Sequence, residues 1–217
     1  MKIFEANASF FKAATGGSYT YATIDQSNDK TNFTGLLLLV EGYRDASFLL
    51  LNELTKNHNN DWLKIDSLIY PALYLYRHHL EIILKDTLRY YRLLRSEISY
   101  EQTGFENRHS LFDLWKLLRP YLDETYSQES DGSQTRDIVE KLLTEFDAKD
   151  KKSSAFRYPF DSNGNFKGSV KTSLPNFSID LPNLEDVCRK LSRYFEGVNI
   201  HVAHMLDEKQ SAMNGSF

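Results

Sequence analysis

Four residues of one apolar segment carry side chains that could do chemistry. The segment YPALYLYRHHLEIILK, residues 70–85, contains Arg77, His78, Glu81 and Lys85. On a helix, Arg77, Glu81 and Lys85 would form a charged line beside and partly within the apolar face, with His78 close by. An arginine donates in parallel to phosphate or carboxylate oxygens, and a neutral histidine can act as a base. The segment therefore predicts a cleft for an anionic ligand.

The same spacing has a purely structural interpretation. Arg77 and Glu81 are four residues apart, so they could form an ion pair at the margin of the core. The aliphatic part of the arginine would then cover apolar surface. Residue spacing alone does not decide between an ion pair and a ligand site.

Two residues outside this segment could complete the site. His109 precedes Ser110, the predicted N-cap of a helix, where unpaired backbone N–H groups favour an anion. Arg157 lies in FRYPFDSNGNFKGSV, whose Asn-Gly pair predicts a β-hairpin turn. His109 could instead be a loop residue, and Arg157 could instead clamp the hairpin. The predicted catalytic residues are His78, His109 and Arg77, and the predicted substrate-binding residues are Arg157, Glu81 and Lys85.

The elements that must position these residues are mostly helices. Helical periodicity predicts segments at about 33–56, 61–96, 110–122, 134–148 and 183–208, with a bend or a fresh start at 66–71 before Pro71. We expect a mostly α fold, a single bundle of about five long helices over residues 33–217. A small β-hairpin is expected near residues 155–170, and residues 1–32 are expected to form an irregular arm or strand.

Two of the helices have predicted apolar stripes that should face the core. The fourth helix has apolar residues at four-residue intervals: Ile138, Leu142 and Phe146. The last helix has a longer stripe: Leu184, Val187, Leu191, Phe195, Val198, Val202 and Met205. Both helices should therefore pack on one face.

Composition excludes several classes of protein. A net charge of -4 and a pI near 5.9 argue against a protein that coats nucleic acid non-specifically. Glu41, Arg44 and Asp45 interrupt the most apolar stretch, residues 34–54, so we expect a buried soluble helix and no membrane partner. A single cysteine, Cys188, and an N-terminus without a secretory apolar run predict the cytoplasm. No motif calls for a cofactor or a metal ion.

Three motifs, in order, carry a resemblance to a known family. The segment 70–85, then RHSLFDLWKLL, then FRYPFDSNGN, followed by a long last helix, resembles bacterial proteins of the HEPN class over about residues 65–205. This resemblance implies a bundle of four or five helices, a homodimer and, in many members, metal-independent RNA cleavage in toxin and antiviral systems. The positions that it implies are Arg77, His78, Glu81, His109 and Arg157.

The chain departs from the usual catalytic pattern of that family. Catalytic members carry an arginine and, about five to seven positions later, a histidine. No arginine of this chain has a histidine at that spacing, and the pair that comes nearest to it is Arg193 and His201, eight positions apart. We therefore expect a variant site that binds RNA or a nucleotide, in a ribonuclease-type effector or an accessory of a bacterial defence or toxin-antitoxin system, with a protein partner from that system. The alternative is a non-catalytic, dimerising interaction module with a structural Arg77–Glu81 pair and an apolar docking face that includes Leu75 and Ile82.

Overall fold

Five α-helices make up the fold of the described part of the chain. The structure is a computed structural model, and it describes residues 34–56, 61–99, 106–157 and 178–214. The helices are α1 (Thr34–Lys56), α2 (Trp62–Leu94), α3 (Leu111–Thr125), α4 (Gly132–Asp150) and α5 (Leu181–Asn214). The predicted mostly helical fold with five long helices is confirmed. The predicted N-terminal arm lies outside the described residues.

The predicted β-hairpin near residues 155–170 falls mostly outside the described residues. Its first part, residues 155–157, forms a turn and not a strand. The Arg157 N–H donates to the Ser154 carbonyl at 3.3 Å within this turn. The described part of the hairpin segment is therefore an irregular continuation of the end of α4.

α2 is the central helix and packs against α1, α3 and α5. It runs without interruption through Pro71, so the fresh start, one of the two alternatives predicted for residues 66–71, is wrong. The other alternative, a bend, stays a prediction. Pro71 and Ser67, one turn earlier, are both exposed. Proline cannot donate to the Ser67 carbonyl, and because both residues lie at the surface the missing bond costs less here than it would in the core.

Two polar groups on α2 hold it against its neighbours away from the predicted site. His79 is fully buried, with Nδ1 donating to the Val40 carbonyl at 3.0 Å and Nε2 lying 3.2 Å from the Ser192 hydroxyl. Burial lowers the pKa of His79 to about 4, so the ring is neutral at physiological pH. This histidine therefore joins α1, α2 and α5 and takes no part in the predicted site.

The second group, Asp86, is a buried carboxyl with only one oxygen bonded. Its Oδ2 accepts a hydrogen bond from the Asn199 amide at 3.1 Å, and that amide also reaches the Thr87 hydroxyl at 3.0 Å. The other oxygen, Oδ1, is buried and makes no hydrogen bond. Burial raises the pKa of Asp86 to about 6, because the interior disfavours the ionised form.

Candidate functional site

Arg77 lies at the centre of a buried polar cluster. Its side chain has no exposed surface. Its Nε donates to the Asp150 carbonyl at 2.7 Å, and Nη2 donates to the His109 carbonyl at 2.5 Å and the Lys151 carbonyl at 3.3 Å. Its Nη1 donates to Glu81 at 2.9 Å. One guanidinium therefore joins α2 to the end of α4 and to the residue preceding the N-cap of α3.

Buried acidic groups balance this cation. Besides Glu81, the carboxylates of Asp147 and Asp150 each place an oxygen 3.8 Å from the Arg77 guanidinium. Asp150 Oδ1 also accepts from the Ser154 and Ala155 amides, at 2.7 and 2.9 Å. A buried arginine is tolerated only when its charge is paired and its nitrogens find acceptors. Here the charge is paired, and each of the three guanidinium nitrogens donates at least one hydrogen bond. The Arg77 cluster is Arg77, Glu81, Lys85, His109, Asp147 and Asp150.

Glu81 connects the inside of this cluster to its surface. The carboxylate accepts from Arg77 through one oxygen and, through the other, from Lys85 Nζ and His109 Nδ1, both at 2.9 Å. Burial would raise the pKa of Glu81, but the hydrogen bonds from Lys85, His109 and Arg77 hold it below its usual value. Glu81 is therefore an anion that holds three cationic or N–H groups in place.

His109 is the member of the cluster that faces solvent. Its side chain is 62% exposed, although its Nδ1 is held by Glu81. Because a carboxylate only accepts, Nδ1 carries the proton in the neutral ring, and Nε2 is then the basic nitrogen. The arrangement is a carboxylate that orients an imidazole, which is the geometry a general base needs.

The anion position predicted at the start of α3 is filled by the protein's own carboxylate. Asp147 accepts from the backbone amides of Leu111 and Phe112, at 3.0 and 2.9 Å, and from the Ser110 hydroxyl at 2.6 Å. Ser110 Oγ accepts from the Asp113 amide at 3.0 Å, which confirms it as the N-cap. No phosphate of a ligand can use these donors while Asp147 holds them.

His78 and Arg157 lie in a separate aromatic strip. The His78 ring meets the edge of Tyr43 at 4.4 Å between centroids and lies nearly parallel to Tyr74 at 6.2 Å. The Arg157 guanidinium sits 5.2 Å above the Tyr74 ring. Burial lowers the pKa of His78, and nearby positive charges, Arg157 among them, add to this effect against the attraction of Glu81. The aromatic strip is Tyr43, Tyr74, His78 and Arg157.

The structure thus brings together four of the six predicted site residues. Arg77, Glu81 and Lys85 are buried, at 0%, 4% and 8% exposure, so they offer a ligand almost no surface in this conformation. Two cavities of the described part of the chain, of about 370 and 670 Å³, are lined by other residues. The predicted cleft around Arg77 is therefore replaced by a closed ionic network with one exposed histidine.

Sequence reasoning missed Asp147 and Asp150, which complete the network. Both lie in the last turn of α4, where the helix dipole disfavours negative charge. Acidic residues at such a position call for a compensating cation or donor. Acidic residues at the C-terminal end of a predicted helix could therefore have indicated a nearby cation, but the sequence does not show which cation it is.

Comparison with known proteins gave no match. Neither models of protein families, nor functionally characterised proteins, nor solved structures match this chain. Within the described ranges, histidine, cysteine and acidic side chains form no group of three that could hold a metal ion. None of the described helices combines the length and the apolar character needed to cross a membrane.

Proposed function

We propose that this chain is a HEPN-like helical protein that binds RNA or a nucleotide at the surface carrying His109. The observation that supports this proposal is the orientation of an exposed imidazole by a buried carboxylate, His109 Nδ1 to Glu81 at 2.9 Å. Arg77 is a positioning residue in this proposal, because it bonds both the Glu81 carboxylate and the His109 carbonyl. The order of the three sequence motifs supports a role in a bacterial defence or toxin system.

The aromatic strip supports single-stranded RNA as the preferred ligand. Tyr74 and His78 are partly exposed rings beside an exposed arginine. Such surfaces stack on unpaired bases and attract the phosphate backbone. His78 directly follows Arg77 on α2, so the strip lies beside the Arg77 cluster. In this proposal the strand continues from the strip to His109, whose Nε2 takes the proton of a ribose 2′-OH.

Replacing His109 tests this proposal. We expect His109→Ala to weaken binding of a single-stranded RNA about fivefold, the loss of one hydrogen bond at the surface. His204→Ala is the matched control, because His204 is also exposed and also lies beside a glutamate, Glu208 at 3.5 Å, on α5. Fluorescence anisotropy with labelled RNA measures both affinities. Equal affinities for the two variants, or no binding by the wild-type protein, would refute the proposal.

Cleavage is a separate outcome of the same experiment. RNA products that form in the presence of EDTA, and that disappear in His109→Ala but not in His204→Ala, would establish a metal-independent ribonuclease with His109 in its site. Binding without products would leave a binding protein. The two results therefore distinguish the effector and the accessory forms of the proposal.

A second candidate function, a dimerising interaction module, is favoured by exposed leucines on α1. Leu38 and Leu49 are 62% and 70% exposed and lie three turns apart on one stripe. The docking face predicted around Leu75 and Ile82 does not fit this role, because Ile82 is buried and Leu75 is half-buried. The exposed stripe of α1 is therefore the better candidate for contact with a second copy of the chain.

We expect Leu49→Glu to convert a dimer into a monomer in sedimentation velocity. The charge would be buried without a partner in the dimer but hydrated in the monomer, so the dimer should weaken at least about tenfold. Ile200→Glu on α5 is the control, because Ile200 is 69% exposed on another helix. A wild-type protein that is monomeric, or a dimer that tolerates Leu49→Glu, would rule out this candidate.

A further inference from the structure

A cavity of about 370 Å³ lies between α2, α4 and the first turns of α5. Its lining is mostly apolar, and its polar lining residues are Glu145, Lys149, Ser178, Asp180 and Asn183. It is distinct from the Arg77 cluster and from the aromatic strip. Leu73 of α2 lines one side, Phe146 of α4 another, and Leu184 and Val187 of α5 a third, while Phe156 and Cys188 contribute further apolar surface.

The cavity follows from the way the helices pack. α4 packs chiefly on α3, whereas α5 packs on α2 and α1, so the apolar faces of α4 and α5 do not close on each other. Leu142, Phe146, Leu184 and Val187 belong to the predicted core stripes, yet all four are only half-buried, and all four line the cavity. On α4 the buried apolar positions are instead Val139 and Leu143, one residue further along.

The inner wall presents no polar group that needs a partner. The Tyr76 hydroxyl donates to the Cys188 carbonyl at 2.8 Å. Burial raises the pKa of the Cys188 thiol to about 12, so the thiol is neutral. Water gains little from such a wall, because it finds few hydrogen-bonding partners there.

The mouth carries charges of both signs. Glu145 and Lys149 lie one turn apart on α4, and Asp180 lies at the start of α5. The Asp180 carboxylate accepts from the Asn183 amide at 3.0 Å and so is engaged in capping α5. At this mouth a charged head group of either sign would meet a like charge as well as an opposite one, so no net attraction would offset the loss of its hydration. A neutral molecule has less hydration to lose.

We propose that this cavity binds a small, uncharged, apolar molecule of about the size of indole or 1-octanol. Its volume lies at the lower end of the range for small-molecule sites and is too small for a helix. Its walls supply apolar contact from three elements, and the opposed charges at its mouth give a charged ligand no net attraction. This inference uses none of the residues of the proposed RNA site.

Three probes of equal chain length test the charge selection. We expect 1-octanol, added at about ten times its dissociation constant, to raise the melting temperature by about 3 °C. Octanoate and octylammonium should bind at least about threefold more weakly in calorimetric titrations. Equal binding of all three probes, or none by 1-octanol, would overturn the proposal.

A cavity-filling variant tests the location. Val187→Phe should abolish binding of 1-octanol, whereas Ile200→Phe on the same helix should leave it unchanged, because Ile200 is 69% exposed and lies outside the cavity. Unchanged binding by Val187→Phe would place the probe elsewhere and refute the site.

Cys188, the single cysteine of the chain, gives a second readout in the wild-type protein. Neutral methyl methanethiosulfonate should modify it at least about threefold more slowly when 1-octanol is present. A rate that 1-octanol does not change would also refute the site.

Discussion

Arg77→Ala should destabilise the protein by about 3 to 5 kcal/mol in urea unfolding. The substitution leaves the buried Glu81 carboxylate without one of its cations and three backbone carbonyls without their donor. A buried polar group that loses its partner bears its full desolvation cost, which exceeds the small net value of an ordinary hydrogen bond. Arg193→Ala, at an exposed position of α5, should change stability by no more than about 0.5 kcal/mol.

A double-mutant cycle with Glu81→Ala separates the ion pair from the rest of the cluster. Because the two side chains share a buried contact, the double variant should lose about 1 to 3 kcal/mol less than the sum of the single variants. Strictly additive losses would mean that the pair is not coupled. A loss below about 1 kcal/mol for Arg77→Ala would contradict its place at the centre of a buried network.

Asp86→Asn should stabilise the protein at neutral pH and have little effect in acid. The folded pKa of Asp86 is raised to about 6 from an ordinary value of 3.8, so the folded state binds this proton more tightly than the unfolded state does. The contribution of Asp86 to stability is therefore fully present below about pH 4 and is lost as the pH rises through about 6. At pH 7.5 the ionised carboxylate costs about 3 kcal/mol, which the neutral amide avoids.

Urea unfolding at pH 3.5, 5 and 7.5 measures this difference between variant and wild type. Asp66→Asn is the matched control, because Asp66 is an exposed aspartate on the same helix. We expect the stabilisation by Asp86→Asn to grow with pH, while the control shows no such growth. If the difference in stability between Asp86→Asn and wild type did not change with pH, burial would not raise the pKa of this carboxyl, and the prediction would be wrong.

Helix positions were predictable because local periodicity and capping residues determine them. Ser110 illustrates this point, since its capping role was evident from the residue types alone and is confirmed by its bond to the Asp113 amide. The approach of Arg77, Glu81 and His109 was also anticipated, although the burial of Arg77 and Glu81 was not. The burial of these α2 side chains depends on how α3 and α4 pack over α2, and the sequence pattern of residues 70–85 does not predict that packing.

The partners of Arg77 were beyond sequence reasoning for a related reason. Three of its four acceptors are the backbone carbonyls of Asp150, Lys151 and His109. Every residue has a backbone carbonyl, so residue types cannot show which carbonyls will accept from Arg77. The position of Arg157 outside the cluster likewise depends on the turn after α4, which places its guanidinium over the Tyr74 ring of α2. Residue types indicated which side chains could form the site, and helix packing determined which of these side chains remain exposed.

The acceptor that Asp147 provides to α3 makes these two helices dependent on each other during folding. The Leu111 and Phe112 amides in the first turn of α3 have their acceptor only when the last turn of α4, about 36 residues later, has formed and docked. The end of α4 in turn has two of its carbonyls bonded by Arg77 of α2. The α3–α4 hairpin should therefore assemble on α2 as one cooperative unit, with neither helix complete before the other.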